Sequence, residues 1–362
     1  MNRKRGMSGL IGALSRRQFV SGAAAVGLTL TAKPKFAAAQ AGNVVFANWD
    51  TYIGETTLAD FTEETGISVT VDTFADVSEL FAKMRGGNVA YDVIVPSNDW
   101  LPRMIAAGMV QELDHSKIPN MSNIFPRFMD EPFDPGRKYS LPYMWGTVGI
   151  GYRKSAVSGT PDSWKVLYDS DEYAGKIALL SDCGTMLGCA LKYLGYSLNS
   201  TDKAENEAAA ELIIKQKKNI KAFAEDNGQD LLAAGEVDVT MEYNGDIVQL
   251  MTEDDDVDYI IPKEGGILWE DVLAIPANAA NVENAHALIN YIHAAEPNQL
   301  ITDYIQYATP NKAGYELMDE GYKNNPDIFP PEDVVEASEF AEYLGEEVTQ
   351  MREDLCTKIN AA

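Results

Sequence analysis

Between Asn43 and Gly108 the chain alternates strand-like and helix-like segments at short spacing, which limits its fold more than any other feature. Asn43–Trp49 (NVVFANW) is a Val- and Phe-bearing run bounded by polar residues, as a strand requires. Thr56–Thr65 has helical patterning and meets Gly66, a helix stop. Ile67–Phe74 alternates apolar and polar residues, Val77–Arg85 is helical up to Gly86-Gly87, and Tyr91–Val95 (YDVIV) is a largely apolar strand. A helix over Trp100–Ala107, closed by Gly108, completes the series. Strands separated by helices in this way pair in parallel, with helices covering both faces. The expected fold class is α/β.

The pattern continues in looser form. A Gly-rich strand is expected over Tyr143–Tyr152, then a strand at Lys176–Leu180, helices at Thr185–Leu194 and near Asn206–Lys217, and strands at Val237–Glu242, Tyr259–Ile261 and Trp269–Ile275. Helices over Ala280–Ala294 and Pro297–Tyr304 precede a helical C-terminal tail. No repeat and no low-complexity linker interrupts the chain. Its 362 residues suffice for about two domains. Two domains without a linker are joined by ordered strands, so a hinge is expected between them.

The first 41 residues stand apart. Arg3, Lys4, Arg5, Arg16 and Arg17 precede a weakly apolar stretch from about Phe19 to Thr31, and Ala37-Ala38-Ala39-Gln40-Ala41 offers small residues for cleavage. Ser15-Arg16-Arg17-Gln18-Phe19-Val20 resembles the twin-arginine export signal. The apolar stretch is too short to span a bilayer, and no later segment has eighteen consecutive apolar residues. The remainder is expected to be soluble and periplasmic.

The formal net charge is −26, and residues 1–41 contribute seven basic side chains and no acid to it. So negative a chain repels nucleic-acid phosphate and anionic lipid, and its field favours cationic ligands. Templates for catalysis are missing: no G-x-S-x-G elbow, no phosphate-binding loop, no H-E-x-x-H. Gly146, Gly149 and Gly151 lack dinucleotide-binding spacing and are expected to permit close strand packing. His286 and His293, seven apart, are expected on a plain surface face of one helix, not in a metal site. Glu253-Asp254-Asp255-Asp256 lacks the glycine and final glutamate of a calcium loop. Cys183, Cys189 and Cys356 leave one disulfide plus an odd thiol, or three free thiols, both open. No catalysis, cofactor or metal is expected.

What remains is a set of aromatic residues beside carboxylates just after strands: Trp49-Asp50-Thr51-Tyr52, Ser97-Asn98-Asp99-Trp100, Tyr243-Asn244-Gly245-Asp246 and Trp269-Glu270-Asp271. Ligands bind at the carboxyl ends of strands in open parallel sheets. Aromatic faces attract ammonium groups and line methylene chains, while carboxylates clamp the charged ends.

These segments resemble the periplasmic spermidine/putrescine-binding proteins of ABC transporters. The resemblance runs from about Asn43 to the C-terminus and rests on Asn48-Trp49-x-x-Tyr52-Ile53, Tyr91-Asp92-Val93-Ile94-Val95-Pro96-Ser97 and Leu141-Pro142-Tyr143-Met144-Trp145-Gly146. Pro262-Lys263-Glu264-Gly265-Gly266-Ile267, Trp269-x-Asp271-x-Leu273-Ala274-Ile275-Pro276 and Tyr307-x-Thr309-Pro310-Asn311 extend it. It implies two lobes, each a mainly parallel sheet flanked by helices, with a ligand cleft between them: 43–148 plus 270–317, and 149–269 plus 318–362. It implies that Trp49, Tyr52, Trp269 and Tyr307 frame an amine, with Tyr243 where a tryptophan is usual. It further implies that Ser97 makes a polar contact and Asp271 grips an ammonium group. Asp246 matches an acid of members taking the shorter diamine, and Asp182 an acidic position of spermidine-type members. Thr185 stands where a glutamate is usual, and Ala341 where spermidine-type members use a glutamine. Asp99, which replaces a Tyr or Ser, or Asp50 could restore the lost carboxylate.

The implied partners are a small cationic amine and an inner-membrane ABC permease, with the receptor a monomer. A monoamine, an amino-acid-like zwitterion, or a polyamine sensor signalling through a membrane partner are the alternatives that the residues leave open. Iron-binding relatives use adjacent tyrosines, and no Tyr-Tyr pair occurs here.

Overall fold

The computed structural model describes residues 42–87 and 89–362, and the expected export signal lies outside them. The strands are β1 (Asn43–Trp49), β2 (Ser68–Phe74), β3 (Val93–Ile94), β4 (Ser140–Arg153), β5 (Ile177–Leu180), β6 (Ile220–Ala224), β7 (Val239–Tyr243), β8 (Val257–Ile260), β9 (Ile267–Ala274) and β10 (Glu339–Phe340). They form one sheet in the order β2-β1-β3-β9-β4-β7-β5-β6, with β8 on β4 and β10 on β9. Its two ends are parallel, β1 against β2 and β3, and β5 against β6 and β7. The middle is antiparallel, where β9 and β4 meet over Ser140–Val148 and Ile267–Ala274. The α/β class stands, with this antiparallel centre added.

Local chemistry accounts for the elements. In β1, Val44, Phe46 and Ala47 are buried, whereas β2 at the sheet edge turns Ser68 and Thr70 outward. Helix Thr57–Thr65 ends on Gly66 at φ 76°, a left-handed conformation that costs glycine little. Helix Val77–Arg85 begins at Asp76, whose side chain accepts from the Ser78 amide. Strand β4 is buried from Ser140 to Tyr152, and Gly146 within it clears the Trp269 ring: a Cβ there would lie 2.6 Å from it.

Three expectations need correction. His286 and His293 do not lie on a surface face; both are buried, 2% and 1% exposed. The irregular segment near 114–123 covers that side of helix Val282–Ile292, which the periodicity of the helix alone does not reveal. The His286 ring accepts from the Asp114 amide and donates to the Val282 carbonyl, while burial pushes His293 down to about 3 and leaves it neutral. Tyr243-Asn244-Gly245-Asp246 is expected at a loop-like position after a strand, yet β7 runs straight into a helix over Asn244–Glu253. Strand β6 and helix Gly228–Ala233 are absent from the expected series. Of the two cysteine arrangements left open, the structure has one disulfide, Cys183–Cys356, and a buried free Cys189.

Candidate functional site

The strand ends converge on a cavity of about 140 Å³. All thirteen residues singled out from the sequence line it: Trp49, Asp50, Thr51 and Tyr52 after β1; Ser97 and Asp99 after β3; Asp182 and Thr185 after β5; Tyr243 and Asp246 after β7; Trp269 and Asp271 on β9; and Tyr307. Ala341 lines it too. By volume the cavity has room for on the order of ten water-sized groups.

Its aromatic residues hold one another edge to face. Tyr52 packs against Tyr143 at 5.1 Å and Tyr307 at 5.4 Å between ring centres. Tyr307 meets Trp269 at 5.1 Å, and Trp269 meets Tyr243 at 5.8 Å. The Trp49 indole donates to the Val95 carbonyl, tying the end of β1 to that of β3. Edge-to-face contacts fix ring planes, so each ring presents a defined face or edge to the cavity. Gly245 supports the arrangement, because a Cβ there would lie 2.6 Å from the Tyr307 ring. Thr51 takes a left-handed conformation, φ 51°, uncommon for a β-branched residue and characteristic of functional turns.

The carboxylates are placed by backbone. Ser97 bridges to Asp271, and Asn98 trades hydrogen bonds with Glu270, so the loop after β3 is stitched to β9. The Ser97 hydroxyl donates to Asp99 at 2.5 Å. Asp182 caps helix Cys183–Tyr193 by accepting from the Thr185 amide at 2.7 Å. Asp246 sits in the first turn of helix Asn244–Glu253, where the helix dipole favours an acid, and accepts from the Tyr307 hydroxyl at 2.6 Å.

Charge is out of balance. Nine carboxylate side chains line the cavity against one guanidinium, that of Arg352. Burial pushes Asp271 well above the usual carboxylate range; Asp99, Glu270 and Asp226 add to the rise, and Tyr52 opposes it. Burial and then Asp226 take Asp246 up to about 8. Asp99 rises to about 6 through burial, partly offset by Ser97, and Asp226 rises to about 6 through burial and Asp50. Behind them Glu242, buried beside Asp226 and Asp246, is raised as well. Acids crowded in low dielectric are costly without a counter-charge. The cavity is built to receive positive charge, and its aromatic walls suit an apolar stem between two charged ends.

Sequence reasoning missed Asp226, Glu225, Asp76 and Arg352, all cavity-lining. Asp226 follows β6, and recognising that strand would have placed it at the same sheet end as the others. Arg352 lies on helix Glu346–Ala361, far along the chain, and no local pattern points to it.

Residues 56–330 match the family model described as bacterial extracellular solute-binding protein. The chain is 36% identical over 334 residues to the spermidine/putrescine-binding periplasmic protein of Escherichia coli (strain K12), covering 91% of this chain and 94% of that protein. It is 37% identical over 310 residues to a putrescine-binding periplasmic protein of Pseudomonas aeruginosa, covering 80% and 83%. Among solved structures, the substrate-binding protein of a spermidine/putrescine ABC transporter from Streptococcus pneumoniae superposes with a TM-score of 0.76 at 32% identity, covering 88% of this chain and 99% of that one.

Proposed function

The chain belongs to the bacterial extracellular solute-binding protein family, and we propose that it captures a polyamine of the putrescine or spermidine class and delivers it to an inner-membrane ABC permease. The observation that carries this reading is the cavity itself, with nine carboxylates against one guanidinium around a box of aromatic rings. Asp271 and Asp246 hold the ammonium groups. Trp49, Tyr52, Tyr243, Trp269 and Tyr307 enclose the methylene chain, and Asp50, Thr51, Ser97, Asp99, Asp182 and Thr185 complete the wall. Each charge-assisted contact contributes about 1.5–3 kcal/mol. Three or four, with aromatic burial, supply roughly the 8 kcal/mol of micromolar binding.

Two lobes, 43–148 plus 270–317 and 149–269 plus 318–362, close on the ligand by a hinge in which β4 and β9 cross between them. Parallel pairing at both ends of the sheet and antiparallel pairing at its centre support that division. The receptor acts as a monomer in the periplasm after export by the twin-arginine route. Among the described residues no helix is long and apolar enough to cross a membrane.

Arg352 favours one second reading, an ω-amino acid whose carboxylate pairs with the guanidinium while its ammonium group meets Asp271. Calorimetry on the chain without residues 1–41, against putrescine, spermidine, cadaverine, agmatine and γ-aminobutyrate, separates the two. Micromolar or tighter binding of a di- or polyamine is expected. Silence toward all four amines together with binding of γ-aminobutyrate would replace the polyamine by the zwitterion.

A further inference from the structure

We infer that the Arg352 guanidinium is a built-in counter-ion occupying the place of a third ammonium group, so that this receptor selects diamines over triamines. The inference rests on the polyamine reading above and names the substrate class within it.

Arg352 is anchored, not free to swing. Its Nε donates to Asn206 Oδ1 at 3.0 Å, and an Nη donates to the Leu198 and Ser200 carbonyls at 2.7 and 3.2 Å. One helical turn further on, Cys356 is joined by the disulfide to Cys183, the residue after Asp182. The covalent link thus ties the helix carrying Arg352 to the start of the helix that Asp182 caps.

Its position divides the cavity. The charged residues lining a second hollow of about 120 Å³ are Asp99, Asp182, Glu342, Glu353, Arg103 and Arg352, with Arg103 paired to Glu353 at 3.9 Å, and Asp271, Asp246 and Asp226 are not among them. Arg352 therefore stands at the Asp99–Asp182 end, and Asp271, Asp246 and Asp226 lie toward the other. The charges that act on Arg352 agree, being those of Asp182 and Asp99. Arginine does not shed its proton at any accessible pH, so this end is permanently part-neutralised.

A diamine needs two anionic partners, which Asp271 and the Asp246–Asp226 pair provide. A third ammonium group, carried along the same axis, would arrive at the Asp99–Asp182 end and meet a fixed like charge. Asp99 and Asp182 already act on the charge of Arg352, and Thr185 and Ala341 on the cavity wall add no further carboxylate or amide. Repulsion of the wrong ligand is an effective means of discrimination where the attractive contacts are shared.

The test compares putrescine, spermidine and N-propylputrescine by calorimetry on the wild-type chain, R352Q and R352K. N-propylputrescine is spermidine without its terminal aminopropyl nitrogen, one heavy atom shorter and with only two nitrogens. Wild type is expected to bind putrescine at least about tenfold more tightly than spermidine, equivalent to about 1.4 kcal/mol, and N-propylputrescine more tightly than spermidine. R352Q should shift the spermidine-to-putrescine ratio about tenfold toward spermidine, and R352K should retain the wild-type ratio. The N-propylputrescine comparison needs only wild type, so it decides the matter even where R352Q fails to fold. Amine binding with spermidine as tight as N-propylputrescine, or an R352Q ratio equal to wild type, would overturn this inference alone. Silence toward all three amines would remove the polyamine reading and this inference together.

Discussion

Asp271 is a carboxyl buried on a central strand, and the charges of Asp99, Glu270 and Asp226 add to the effect of burial in raising its pKa. Such a group exists at a cost that a bound cation would lift. Replacing Asp271 by Asn should weaken diamine binding about tenfold or more, since one charge-assisted contact contributes about 1.5–3 kcal/mol; unchanged affinity by calorimetry would remove its role. The same crowding sets the pH dependence. Asp99 and Asp226 at about 6 and Asp246 at about 8 hold protons that an ammonium group must displace. Diamine affinity should therefore rise between about pH 5 and about pH 8, with proton release visible as buffer-dependent heats. These groups have folded values above their unfolded ones, so their contribution to ligand-free stability is complete in acid and is lost as pH rises through 6 and then 8. Saturating diamine should flatten that loss in a series of thermal melts. Residues such as Trp49, Asp99 and Tyr243 were legible because strand patterns place them at strand ends. Arg352 was not, because a disulfide and three backbone or amide contacts bring it there from a distant helix.

Elements position those residues through very close approaches. Strand β4 passes under Trp269 only because Gly146 has no side chain, and helix Asn244–Glu253 approaches the Tyr307 ring so closely because Gly245 has none. A methyl group at Gly146 would stand 2.4 Å from Asn244 Oδ1 and 2.6 Å from Trp269. Gly146→Ala should lower stability by roughly 1–3 kcal/mol, as overpacking does, and weaken the ligand by tilting Trp269. A variant with wild-type melting and wild-type affinity would show that the ring is not held there. The early elements were legible within about two residues, since the helices carry a cap or a glycine stop and the strands bounded apolar runs, although only Val93–Ile94 of the expected Tyr91–Val95 pairs as a strand. Strand β6, Ile-Lys-Ala-Phe-Ala, was not, because its alternation is weak and its burial comes from β5 alongside. The helix that begins at Asn244 was not legible, because Asn-Gly is a turn-favouring pair and marks no helix start.

At the scale of the molecule, the proposed hinge would act together with charge. A net charge of −26 draws a polycation toward the protein from any direction, and the carboxylate-lined cavity focuses that field. The association rate should fall steeply with added salt while dissociation changes less, because screening acts on the approach and not on buried contacts. The proposed closure would follow from where Asp271 and Asp246 sit. Asp271 belongs to β9 and Asp246 to the helix after β7, on opposite sides of β4 in the sheet. A diamine that bridges them stabilises only the arrangement in which both are within reach, so binding energy becomes a force toward the closed state. Solution X-ray scattering should then show a smaller radius of gyration with putrescine than without it. Asp246→Asn at a saturating concentration should bind through Asp271 alone and leave the radius near its ligand-free value. Equal compaction in that variant would mean that the lobes close on the aromatic stem rather than on the charges, and Asp246 would lose its part in the hinge.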